Sequence, residues 1–174
     1  MRRGATGDDA FVLPGQAWFG AAPGQVATLL GSCVSMVCWH PTRRLGGLCH
    51  FVLPRRPRGG PPGAADGRYG EEAIMLMYQH VRRHGTDPGE YHAWLFGGAT
   101  QTEDGDGPGV MAEIGRRNVE CARRECAATG FALRAEDVGG GTYRRLRLDL
   151  STGTVDVARG PMAHAQPVFA TARG

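Results

Sequence analysis

A thiol and an imidazole in the first third of the chain are the residues best placed to do chemistry. Leu30-Gly31-Ser32-Cys33 sets a cysteine after two small residues, and Cys49-His50-Phe51 sets a histidine 17 positions beyond that cysteine. A thiol amidase needs few parts. Its nucleophile is a thiolate, since the thiol attacks poorly. An imidazole within hydrogen-bond reach takes the proton and later gives one to the leaving amine. Backbone N–H groups hold the developing oxyanion. Cys33 is the candidate nucleophile and His50 the candidate base. Gly31 and Ser32 are the candidate oxyanion segment, because small residues let main-chain donors approach a substrate carbonyl. An activated Cys33 is expected to have a low pKa and to react with iodoacetamide before the other four cysteines.

Blander readings of the same residues stay open. A cysteine after Gly-Ser in an apolar run also fits a small core residue, and a lone histidine there fits a structural role. Cys33, Cys38, Cys49 and His50 could ligate zinc, although they lack the C-x2–4-C knuckle of common structural sites. Cys121 and Cys126 fit core or boundary thiols. His40, His80, His84 and His92 fit loop or helix-surface positions. Glu136-Asp137 resembles an acid pair, but neighbouring strand residues point to opposite faces, which favours a structural role. The clusters Gly97-Gly98 and Gly139 to Gly141 match no phosphate loop.

The elements that must position this chemistry follow from the pattern. Gln25 to Leu30, Val34 to Trp39 and Leu45 to Leu53 are short apolar runs with turn punctuation, which predicts buried strands. A further edge strand is expected within the first 24 residues. Ala73, Ile74, Met77, Tyr78 and Val81 make a helical stripe. Glu71 and Glu72 suit its first turn, Arg82 and Arg83 its last, and Gly85 its cap. A second helix is expected from about Ala112 to Thr129, with Gly130 as its stop and Ile114, Cys121, Ala122 and Cys126 as its stripe. Tyr91 to Phe96, Phe131 to Val138, Arg144 to Leu150 and Thr154 to Val157 read as strands. Residues 54–68 and 100–109 read as surface loops. Strands with two separated helices imply an α/β or α+β sheet layered by helices.

The chain has 174 residues, 41% hydrophobic and 21% charged, which suits a single domain with a real core. Glycine supplies 28 residues, so turns and close backbone contacts must be frequent. All 20 basic residues are Arg, and the net charge is only +3. Arg55, Arg56 and Arg58 beside Pro and Gly make a weak nucleic-acid signal and fit a solvated loop better. The start MRRGATGDDA has no apolar run behind its arginines, so no signal peptide is expected. No stretch has the roughly 18 apolar residues of a membrane helix. A cytoplasmic protein with reduced thiols is therefore expected.

Several segments, taken in order, resemble one family. Thr28-Leu29-Leu30-Gly31-Ser32-Cys33-Val34 and Gly46-Gly47-Leu48-Cys49-His50-Phe51-Val52-Leu53-Pro54 are similar to the CheD chemoreceptor glutamine deamidases. The similarity continues through Tyr69 with Glu72-Ala73-Ile74, then Phe96-Gly97-Gly98-Ala99 and Ile114-Gly115-Arg116-Arg117-Asn118-Val119. It ends with Ala135-Glu136-Asp137-Val138-Gly139-Gly140, the Arg144-Arg145 region and Thr152-Gly153. It covers roughly residues 10–158, which implies a domain there, with a flexible start at 1–9 and a flexible tail at 159–174.

The resemblance implies a layered α/β sandwich, mixed β-sheet packed with two long helices. It implies hydrolysis of receptor glutamine side chains to glutamate through a thioester, with ammonia released and no cofactor or metal. The partners would be the cytoplasmic helical region of methyl-accepting chemotaxis receptors, with no nucleic acid and no membrane insertion. Some members also pair with a CheC-type phosphatase, so a non-catalytic binding role is the alternative. A peptidase or transglutaminase would use the same thiol and imidazole. By the resemblance, Cys33 falls on the family nucleophile and His50 on its base. The family's third residue is a Thr shortly before the Cys. Here Ala27 stands six before Cys33 and Thr28 five before, and a one-residue shift on a strand turns a side chain to the other face. Thr28 is thus one candidate to orient His50, with a backbone carbonyl or another side chain as the alternative.

Overall fold

The computed structural model describes residues 9–58, 63–100 and 109–161. In chain order its strands are β1 (Ala10–Phe11), β2 (Ala17–Ala21), β3 (Gln25–Leu30), β4 (Val34–Trp39) and β5 (Leu45–Cys49). Helix α1 (Gly70–Arg83), β6 (His92–Gly97) and helix α2 (Val110–Thr129) follow, then β7 (Leu133–Val138), β8 (Thr142–Asp149) and β9 (Val155–Pro161). One sheet has the order β1-β3-β8-β9 and the other β2-β5-β4-β6-β7. Each mixes one parallel pair, β1 with β3 and β6 with β7, with antiparallel neighbours.

Side-chain alternation turns these sheets into three layers. On β4, Val34, Met36 and Cys38 join α1 and α2 in one core, together with Cys49 and Phe51. Val37 and Leu48 face the opposite way, into a second core with Val26 and Leu30 of β3 and Leu146 and Leu148 of β8. The five-stranded sheet is therefore sandwiched, helices on one side and the smaller sheet on the other. β4, buried along nearly its whole length, is its central strand. Such double burial explains why its sequence reads as a continuous apolar run.

Both helices follow their sequence signals. On α1, Ala73, Ile74, Met77 and Val81 are buried, with Glu71 and Glu72 in the first turn and Arg82 and Arg83 in the last. Gly130 ends α2 in the left-handed conformation. The buried face of α2 carries Gly115, Asn118, Val119, Cys121, Ala122 and Cys126, whereas Ile114 is only half-buried. A polar side chain thus sits in the middle of an otherwise small and apolar stripe.

Three details differ from expectation. The run expected to be one strand from Leu45 to Leu53 breaks at Cys49, and beyond it only isolated bridges, Val34 with Phe51 and Leu53 with Tyr69, continue the pairing. The chain before residue 24 holds two strands, since β1 and β2 belong to different sheets. β9 pairs with β8 from Val155 to Pro161, past the expected end at Val157, because Tyr143 and Thr142 offer it partners. Residues 1–8 and 162–174 of the expected flexible ends, and 59–62 and 101–108 of the expected loops, lie outside the described residues. Glu136 and Asp137 are structural, as their alternation suggested: Glu136 pairs with Arg123, and Asp137 with Arg144 and Arg159.

Candidate active site

One backbone bridge sets His50 and Cys33 on adjoining chain segments, with no hydrogen bond between their side chains. Val34 donates to the Phe51 carbonyl at 3.1 Å, and Phe51 donates to the Val34 carbonyl at 3.0 Å. This bridge continues the β4–β5 register, in which Val37 faces Leu48. By that register Cys33 lies opposite Val52 and His50 opposite Ser35. All four share the face that Val37 and Leu48 present to the smaller sheet. Cys33 and His50 are then diagonal cross-strand neighbours, a relation of roughly 7 Å that side chains can span. Cys33 packs against the core between the sheets and is half-buried. His50 is buried, its backbone fixed by Gln16 accepting its N–H at 2.9 Å and Gly15 donating to its carbonyl at 2.8 Å.

The third group comes from the facing sheet. β3 alternates, with Val26, Thr28 and Leu30 buried and Gln25, Ala27 and Leu29 less so. Thr28 therefore points inward and Ala27 away. Thr28 Oγ1 lies 2.8 Å from His50 Nδ1 and donates to the Val12 carbonyl at 2.7 Å. The one-residue offset between Thr28 and the family position does not turn it away: Thr28, not Ala27, is on the inward face. A hydroxyl has one proton, and here it goes to Val12, so Thr28 can only accept from His50. Nδ1 thus carries the imidazole proton, and Nε2 keeps the basic lone pair. Nε2 is buried and has no partner among the described residues.

Electrostatics keep both groups neutral at rest. Burial pushes His50 down from 6.5 to about 4, against a smaller opposing pull from the Val12 carbonyl. Burial pushes the Cys33 thiol up to about 11, offset in part by its own amide. The low-pKa thiol expected from sequence is therefore not the resting state: desolvation outweighs every group that would favour a thiolate. The other thiols are raised as well, Cys121 to about 11, Cys49 to about 12, and Cys38 and Cys126 still further. Those four are buried, so Cys33 differs from them by access rather than acidity.

The loop carrying Cys33 is held by its carbonyls. Ala99 donates to Gly31 at 2.9 Å and Gly98 to Cys33 at 2.8 Å. Asn118 Nδ2 donates to the Ser32 carbonyl at 3.2 Å and to the Val52 carbonyl at 2.8 Å. Neither the Ser32 nor the Cys33 amide donates to the carbonyl of another described residue. Gly98, with φ +63, makes the turn that supplies its amide. Gly115 lets α2 close on that turn, since a Cβ there would stand 2.6 Å from the Ala99 carbonyl. In the sequence Asn118 is one residue of the segment Ile114 to Val119 and carries no chemistry of its own. Its one signal was a polar residue at the spacing of a buried stripe.

Other candidates separate from this site. Cys38 and Cys49 face the helices, the Cys49 thiol 3.8 Å from the Met36 carbonyl, while Cys33 and His50 face the other sheet. The four residues considered for zinc therefore do not converge, and no group of three or more His, Cys, Asp or Glu able to hold a metal occurs among the described residues. His40 is buried rather than at the surface, its Nδ1 accepting the amides of Thr42 and Arg43 at 3.3 Å each. It fixes the β4–β5 hairpin. Among the described residues no helix is long and apolar enough to cross a membrane.

Comparison with known proteins gives this arrangement a context. The family described as CheD chemotactic sensory transduction matches residues 52–159. A protein of Dechloromonas aromatica named "Probable chemoreceptor glutamine deamidase CheD 3" is 48% identical over 152 residues, 86% of each chain. A protein of Pseudomonas fluorescens named "Probable chemoreceptor glutamine deamidase CheD" is 36% identical over 166 residues, 95% of this chain and 93% of its own. Among solved structures, the Bacillus licheniformis hypothetical protein YfiH aligns with a TM-score of 0.41 at 15% identity, over 65% of this chain and 46% of that one. A likeness that low carries no weight here. The family match over more than half of the chain, and relatives similar along most of the chain, establish that this chain belongs to the CheD family.

Proposed function

We propose that this chain deamidates glutamine side chains of chemoreceptors in the cytoplasm, with Cys33 as nucleophile and His50 as its base. The names of its relatives support the substrate. The mechanism rests on one observation above all. Thr28 spends its proton on Val12 and so fixes His50 with Nε2 unprotonated, on the face it shares with Cys33.

The reaction follows from neutral partners. As the sulfur attacks the glutamine carboxamide carbon, Nε2 takes the thiol proton, so no free thiolate is needed beforehand. The C–S bond forms, and the carbonyl π pair moves onto oxygen. The amides of Ser32 and Cys33 are suited to receive that oxyanion. When the tetrahedral intermediate collapses, the C–N bond breaks and imidazolium gives its proton to the departing ammonia. Water, losing its proton to the same Nε2, then attacks the thioester, and the imidazolium returns that proton to sulfur. The sum is amide plus water to acid plus ammonia.

The test is the Cys33→Ala variant on a purified receptor cytoplasmic fragment, read by ammonia release and intact mass. Wild type should add about 1 Da per glutamine converted, whereas a peptidase would cut the chain and a transglutaminase would attach an amine. Cys33→Ala should leave receptor mass unchanged. Full deamidation by that variant would refute the nucleophile, and no deamidation by wild type would leave only a binding role.

A further inference from the structure

We infer that Asn118 is a positioning residue for this reaction, its side-chain amide aiming the Ser32–Cys33 peptide and tying it to the segment that carries His50. The inference rests on Cys33 being the nucleophile. Both protons of Nδ2 are used, one on Ser32 O at 3.2 Å and one on Val52 O at 2.8 Å. Ser32 O belongs to the peptide whose N–H is that of Cys33. In a planar trans peptide the two point in opposite directions. Asn118 lies in the helix layer, so drawing the carbonyl toward it turns the Cys33 N–H away from the helices, toward the face on which Cys33 packs. Val52 stands two residues after His50. One side chain thus fixes the peptide in front of the nucleophile and the backbone just behind the base.

The asparagine satisfies two carbonyls that have no other donor among the described residues, and leaves one of its own atoms unsatisfied. The side chain is fully buried, and its Oδ1 has no donor among the described residues. A buried unpaired acceptor is destabilising, and an apolar residue would avoid it only by leaving the Ser32 and Val52 carbonyls without a donor. What the asparagine provides is a forked donor facing two carbonyls from different segments.

Wild type, Asn118→Ala, Asn118→Asp and Cys33→Ala are compared on a receptor fragment by steady-state deamidation from pH 5 to 9, with circular dichroism at each pH. Asn118→Ala should lose about 100-fold in kcat, with KM changed less than about threefold. Asn118→Asp supplies the discriminating readout. Neutral Asp is an isostere with one O–H for a carbonyl, while ionised Asp offers none, and burial raises its pKa. Its activity should therefore be highest near pH 5 and fall as pH rises, where wild type stays level. His50 is neutral down to about 4, and Cys121, one turn along the helix, is raised to about 11, so neither titrates in this window. If Asn118→Ala does not fold, the Asp profile decides alone. A folded Asn118→Ala with wild-type kcat would overturn the inference. So would an Asp variant whose loss is independent of pH or follows unfolding. An active Cys33→Ala would instead overturn the nucleophile assignment and is told apart in the same assay.

Discussion

Thr28→Val removes a hydroxyl while keeping the volume and β-branching of the residue. In the folded protein that hydroxyl accepts from His50 Nδ1 at 2.8 Å and donates to Val12 at 2.7 Å, both in a buried setting. Each bond contributes about 1 kcal/mol net, and an orphaned buried partner costs about 1–3 kcal/mol. Thr28→Val should therefore lose roughly 2–4 kcal/mol of stability. Thr28→Ser keeps both bonds and gives up a buried methyl, about 1 kcal/mol. The catalytic effect has a different origin. Proton transfer is worth about 10²–10⁴ in rate. Thr28→Val retains the imidazole but not its fixed tautomer, so its loss belongs at the low end, about 10² in kcat. Thr28→Ser should stay within about fivefold of wild type. Ammonia release from a saturating receptor fragment gives kcat, and urea melts give stability. A folded Thr28→Val with wild-type kcat would refute the account of His50, as would a Ser variant as slow as the Val one.

Four further outcomes follow from the same geometry. The active form has neutral His50, so the acid limb of kcat/KM should fall near pH 4; a limb near 6.5 would mean the imidazole is not desolvated as described. Unfolded His50 binds a proton near 6.5 and folded His50 only near 4, so its contribution to stability is present above 6.5 and drains away as pH falls toward 4. Denaturation of wild type against His50→Gln should show that difference, about 3 kcal/mol across the window, and parallel curves would contradict it. Iodoacetamide at neutral pH should label Cys33 before the four buried cysteines, yet roughly 100-fold more slowly than a free cysteine, because burial raises it to about 11. Labelling as fast as a free thiol would show an ionised sulfur. Gly115→Ala should cost about 1–3 kcal/mol and slow deamidation, since its Cβ meets the Ala99 and Gly98 carbonyls at 2.6 and 2.9 Å. Unchanged melting would mean that α2 does not press on that turn.

Strand and helix periods were legible because burial imposes them. β3 and β4 fall on their apolar runs from end to end, and the left-handed stop of α2 was legible in Gly130. The break after Cys49 was not, because His50 is followed by apolar residues that would suit a continuing strand. The pairing with β2 goes out of step there: the His50 amide still bonds Gln16, the next residue in that register, but the His50 carbonyl is taken by Gly15. Spacing from Cys33 could not show that Thr28 faces inward, because that depends on the facing sheet. Asn118 escaped notice because its partners, Ser32 and Val52, are far away in sequence. Resting charge was equally hidden: residue types suggest an activated pair, and only the depth of burial shows that neither group ionises.

That neutrality has a consequence outside the catalytic cycle. Peroxide and disulfide exchange consume the anionic form of a cysteine. With burial raising it to about 11, Cys33 at pH 7 is anionic in only about one molecule in ten thousand. On the proposed mechanism, the sulfur becomes strongly nucleophilic only when an amide lies against it and the imidazole can share its proton. Burial therefore leaves this cysteine slow to react with peroxide or disulfides while no substrate lies against it.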